Sequence, residues 1–91
     1  MKAFIAAIAL VLATARVFAV DINIANRAQL EQLRGIGPPQ ADRILVEREK
    51  GRFKDWPDLI ARVRGIREAK ARQLSQAGLT VGGVIYDPTP P

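Results

Sequence analysis

The sequence predicts an all-α fold: a single small domain made of two copies of one helix–turn–helix unit. Three observations carry that expectation. A shift of thirty residues lays Leu30, Leu33, Arg34, Gly35, Ile36, Ala41 and Ile44 over Ile60, Val63, Arg64, Gly65, Ile66, Ala71 and Leu74, with four identities and three apolar exchanges. Between the glycines, the apolar residues recur at helical spacing. Each unit alone would expose an apolar stripe, and two packed together bury both.

The chain opens with Met1 and Lys2, followed by an apolar run from Ala3 to Ala15 broken only by Thr14, then Arg16 and Val17-Phe18-Ala19. Charge, short apolar stretch and small-residue site in that order predict a secretory signal peptide over residues 1–19, cut after Ala19. The run falls short of the roughly 20 apolar residues that span a bilayer, so no membrane anchor is expected after cleavage. The mature protein is expected to begin at Val20 and to be exported.

Val20 to Ala25 reads as an extended lead-in. Asn26 is a good N-cap, and Gln29 three residues later completes a capping-box pattern. The helix that follows carries Leu30 and Leu33 on one face, and Gly35 ends it. Gly35-Ile36-Gly37 forms a tight turn. Pro38 and Pro39 open a second helix, where their fixed φ and missing N–H do least harm. It carries Ala41, Ile44 and Leu45 and closes at Gly51. Phe53 and Trp56 are expected to pack under the connection. Asp55 caps a third helix with Pro57 in its first turn and Leu59, Ile60 and Val63 as its buried face. Gly65 and Ile66 mark the second turn, and a last helix runs from about Arg67 to Gln76, with Gly78 as its stop. The domain thus covers residues 20–80. The Gly- and Pro-rich residues 81–91 are expected to form a flexible tail.

Composition narrows the chemistry. From Val20 onward, twelve Lys or Arg face nine Asp or Glu, an excess of +3 against +5 for the whole chain. That excess admits an anionic partner without requiring one. The chain has no Cys and no His. The usual zinc sites, Cys nucleophiles and His acid–base pairs are therefore unavailable, and no disulfide can brace the exported fold. The carboxylates are scattered singly among basic neighbours. Neither an enzyme nor a cofactor is expected.

The turn Leu33-Arg34-Gly35-Ile36-Gly37, followed by Ala41 and Ile44-Leu45, resembles the helix-hairpin-helix signature. Ile36 plugs the core between two helices, while the glycines allow close approach of a ligand to the backbone. The helix that begins at Pro38 points its positive end at the same spot. Such a turn can bind phosphate without reading a base, and a pair of turns can grip both strands of a duplex. Taken singly, Gly-Ile-Gly serves equally as a link between packed helices. The repeat favours the binding role. The candidate DNA-binding residues are Arg34, Gly35, Ile36, Gly37 and Gln40 at the first turn, and Arg64, Gly65, Ile66, Arg67 and Lys70 at the second. The backbone amides of Gly35, Gly37 and Ile66 are the expected phosphate donors, assisted by Arg34, Arg64, Arg67 and Lys70. Arg48, Lys50, Arg52 and Lys54 form a second basic stretch, expected to be a solvated helix end and loop.

With Val20-Asp21-Ile22-Asn23-Ile24-Ala25, Gly51-Arg52-Phe53, Asp58-Leu59 and Val63-Arg64-Gly65-Ile66 added, the chain from Val20 to Leu79 resembles the ComEA family of competence DNA receptors. The resemblance implies a double helix-hairpin-helix domain that binds double-stranded DNA without sequence preference. It also implies a periplasmic role in DNA uptake during natural transformation, beside proteins of the uptake machinery. Three positions depart from the family pattern. Pro39 removes a backbone N–H at the first turn, and Gln40 stands where the family often has Lys. Arg67, followed by Glu68, replaces a glycine, and a left-handed backbone there would strain an Arg. The alternative expectation is a periplasmic protein–protein interaction module that uses the same scaffold without DNA. A nuclease or repair accessory is disfavoured by the leader and the missing catalytic groups.

Overall fold

The computed structural model describes residues 19–88. The expected leader lies outside these residues as far as Phe18. The chain runs β1 (Val20–Asp21), α1 (Arg27–Gln32), α2 (Pro38–Lys50), α3 (Trp56–Arg62), α4 (Glu68–Gln76) and β2 (Leu79–Thr80). The fold is mostly helical, as expected, with one minor addition. The two short strands pair in parallel, Val20 opposite Leu79 and Asp21 opposite Thr80. This pairing joins the two ends of the domain. Among the described residues, no helix is long and apolar enough to cross a membrane.

Local chemistry sets each helix start. The Asn26 side chain accepts from Gln29 N–H while the Gln29 side chain accepts from Asn26 N–H, a complete capping box. Asp55 caps α3 by accepting from Asp58 N–H at 2.8 Å. The helices α2 and α4 lack a side-chain cap, and Gly37 and Arg67 occupy their N-cap positions. The last helix thus begins one residue later than expected.

The repeat in sequence is a repeat in structure. Residues 33–48 and 63–78 show the same succession of buried, half-buried and exposed positions at every step. Leu33, Ile36, Ala41 and Ile44 from one unit, and Val63, Ile66, Ala71 and Leu74 from the other, are each at most 5% exposed. Phe53 and Trp56 are buried beneath the connection, as expected. Each fully buried large aliphatic side chain contributes about 1.5–3 kcal/mol. Leu45 and Ile60, expected in the core, are only half-buried at its edge.

Three polar side chains hold the irregular segments, and none was legible from helical periodicity. Arg48 Nη1 donates to the carbonyls of Ile22 at 3.0 Å and Ala25 at 2.7 Å, fixing the lead-in against α2. Asn23 exchanges two hydrogen bonds with the Phe53 backbone, giving at 3.0 Å and accepting at 2.7 Å. Arg62 gathers the end of α2: Nη2 donates to the carbonyls of Glu47 at 2.5 Å and Gly51 at 2.8 Å. Its guanidinium also pairs with Asp58 and Glu47 and lies 4.3 Å from the Phe53 ring centroid. Carbonyls at a helix C-terminus carry partial negative charge, which this cation offsets.

The chain stays packed beyond residue 80, where the sequence reading ends the domain. Val81 is buried, and Val81 and Val84 exchange two backbone hydrogen bonds around Gly82-Gly83. Trp56 Nε1 donates to Val84 O at 2.8 Å, and Tyr86 N–H donates to Ser75 Oγ at 2.9 Å. The Trp56 and Tyr86 rings meet edge-on at 5.3 Å. Composition alone undervalued this segment, because a buried indole N–H needs an acceptor that only the returning chain provides.

Candidate nucleic-acid interface

Both turns are built alike. Gly35 and Gly65 have φ of +104° and +97°, values that an L side chain adopts only with strain. Ile36 and Ile66 follow, with side chains in the core and N–H groups donating to Leu33 O at 3.1 Å and Val63 O at 3.2 Å. The expected phosphate donor at Ile66 is therefore spent inside the turn. Both isoleucines lock the turns from within and present nothing to a ligand.

The next position resolves the departure at Arg67. Gly37 has φ −99° and ψ 179°, and Arg67 has φ −119° and ψ −171°. Both are extended, so neither position requires glycine and Arg67 is unstrained. The helix starts differ in donors. In the first hairpin, Pro38 and Pro39 carry no N–H, which leaves the amides of Gly37 and Gln40 without a backbone partner among the described residues. In the second, Arg67, Glu68, Ala69 and Lys70 all have amides in that state. Helix N-termini with such groups favour anions.

Among the described residues, the side chains of Arg34, Arg64 and Arg67 are exposed and Lys70 is half-buried, and none makes an ion pair or hydrogen bond. Gln40 serves otherwise than expected. Its Nε2 donates to Arg64 O at 3.4 Å, and a Cβ added at Gly65 would meet that same nitrogen at 2.7 Å. Reciprocally, Gln73 Nε2 donates to Arg34 O at 3.5 Å and stands 2.8 Å from where a Gly35 Cβ would lie. Each hairpin's second helix thus reaches across to the other hairpin's turn, which sets the two turns side by side.

This geometry adds a residue that the sequence reading missed. Arg43 is exposed and lines one groove with Arg64, Asp42 and Glu47. The signal was present in the repeat, since the thirty-residue shift lays Arg43 on Gln73, the residue that covers the opposite turn. The second basic stretch divides. Arg48 is structural, and Lys50 pairs with Glu47 at 2.8 Å. Arg52 and Lys54 are exposed.

Two repeated turns, each made of a positive-φ glycine, a buried isoleucine and an extended residue that starts a helix, define a double hairpin of helices. The family model described as the helix-hairpin-helix motif matches residues 18–77, and the chain belongs to that family. The motif is one commonly associated with nucleic-acid binding. No curated protein and no solved structure matches the chain.

Proposed function

We propose that this chain is a non-enzymatic protein that binds double-stranded DNA through its phosphates, without sequence preference. The observation that carries the reading is the adjacency of two like turns, each flanked by unpaired cations and open amides. Gly35, Gly37 and Arg34 contribute at the first turn, and the amides from Arg67 to Lys70 with Arg64, Arg67 and Lys70 at the second. Arg43 adds charge beside Arg64. Donors of this kind meet phosphate oxygens, which fix position on a duplex and carry no sequence information. The resemblance to ComEA-type receptors supports a finer proposal: export through a leader cleaved after Ala19, residence in the periplasm, and service in DNA uptake during natural transformation. Gel shifts of the chain on random duplexes at several salt concentrations test the binding. With about four phosphates neutralised, log affinity should fall against log salt with a slope of about −3.6. A slope near zero, or strong preference for one sequence, contradicts it.

A further inference from the structure

A groove of about 490 Å³ runs between α3 and the C-terminal segment. Its floor and walls include Trp56, Pro57, Ile60, Val84, Ile85 and Tyr86. Val84 and Ile85 are 59% and 63% exposed, two of the four large apolar side chains most open to solvent among the described residues. Aromatic and aliphatic side chains gathered in a concave surface are costly to leave wet, and such patches mark binding surfaces.

The charge at this groove is opposite to that of the protein. Asp55, Glu68 and Asp87 line it, and no Lys or Arg does, although basic residues outnumber acidic ones along the chain. A nucleic acid is repelled by such a rim and a cation attracted to it. The Asp55 carboxylate already caps α3, while that of the exposed Glu68 makes no hydrogen bond or ion pair among the described residues. We infer that the groove docks a short cationic, apolar segment of a protein partner: aliphatic side chains against Pro57, Val84 and Ile85, and Lys or Arg beside Glu68 and Asp55. Complementary charge selects the partner and excludes acidic competitors. The groove meets the second hairpin at Glu68, whose side chain faces the groove lining while its amide belongs to the helix start, and the test involves no DNA.

Trp56 is the sole tryptophan of the chain and lines the groove, so its fluorescence reports occupancy directly. Three short peptides titrated into the full chain separate the contributions: alternating Leu and Lys, alternating Leu and Glu, and alternating Ser and Lys. The Leu/Lys peptide should produce a saturable change, and each of the other two should bind at least about tenfold more weakly. The double substitution Val84→Ser/Ile85→Ser removes exposed side chains while the Val84 carbonyl still accepts from Trp56. It should weaken Leu/Lys binding by about tenfold or more, with an unchanged melting temperature. Glu68→Lys should weaken it several-fold. Equal binding of the Leu/Lys and Leu/Glu peptides overturns the proposal, as does a titration that never saturates or an affinity untouched by the double substitution. Concentration-dependent self-association abolished by Val84→Ser/Ile85→Ser, with no peptide bound, makes a second copy of the chain the occupant and equally overturns it.

Discussion

Gln40 on α2 donates to the carbonyl of Arg64 in the opposite hairpin at 3.4 Å. Gln73 returns the contact to Arg34 at 3.5 Å. Both amide nitrogens rest where a glycine has no Cβ, so glycine at 35 and 65 meets two demands at once, a positive φ and the room for a neighbouring side chain.

A contrast among three glycines follows. Gly35→Ala and Gly65→Ala should each destabilise the fold by about 1–2 kcal/mol, since each forces a left-handed side chain and displaces a glutamine. In a domain of this size that lowers the melting temperature by about 5–10 °C. Gly37→Ala should be nearly neutral, because its φ is −99° and the nearest atom to an added Cβ is 3.8 Å away. Thermal melts of the three variants check the ranking.

Arg48→Ala should cost about 2–3 kcal/mol, because it orphans the Ile22 and Ala25 carbonyls and removes a charged donor to both. Arg52→Ala, at an exposed position, should stay within about 0.5 kcal/mol of the parent. Urea unfolding of the pair measures the difference. Equal stability of the two variants contradicts the bracing role of Arg48.

Acid should loosen the joined ends of the domain. Burial works to raise the Asp21 carboxyl, but hydrogen bonds from Gly83 N–H, Thr80 hydroxyl and Asn23 N–H, with nearby Arg52, hold it below its usual 3.8. At Asp58, the Lys54 N–H and the Arg62 guanidinium overcome burial and give a shift in the same direction. A lowered carboxylate stabilises the fold fully above its unfolded value and loses that contribution as pH falls through the folded one. Stability should therefore be flat from neutrality to about pH 5 and decline below about pH 4. Asp21→Asn should be less stable at pH 7 and show a shallower acid decline. A parent-like slope in that variant would deny Asp21 its part.

Much of the architecture was readable beforehand because it rests on local rules. Asn26 with Gln29, Asp55, and the glycines at 35, 51, 65 and 78 each act within a few residues of their own position. The thirty-residue repeat made the pairing of units visible as well. What escaped the sequence depends on contacts distant along the chain. Nothing local tells that Arg48 rather than Arg52 turns inward, that Arg62 collects the carbonyls of α2, or that Val84 supplies the acceptor for Trp56. Arg34, Arg64, Arg67 and Lys70 could be singled out as candidates from their closeness to the turns along the chain. The role of the Ile66 amide was misassigned because only the folded turn shows where its N–H points. Arg43 went unremarked because its neighbour Arg64 lies in the opposite hairpin.

The most direct measurement compares two triple substitutions in duplex-DNA affinity across a range of salt. One changes Arg34, Arg64 and Arg67 to Ala at the turns. The other changes Lys50, Arg52 and Lys54, which removes the same charge at and just beyond the far end of α2 and leaves Arg48 in place. The thirteen residues of α2 put that end about 20 Å from the first turn. Both variants should keep their helical circular dichroism and melt near the parent, because every altered side chain is exposed. The turn variant should lose affinity for all sequences alike and flatten the salt slope by about 2.7, at about 0.9 per phosphate contact. The control should keep most of its affinity and slope. Equal losses in the two variants, or none in either, would contradict binding through the hairpin turns.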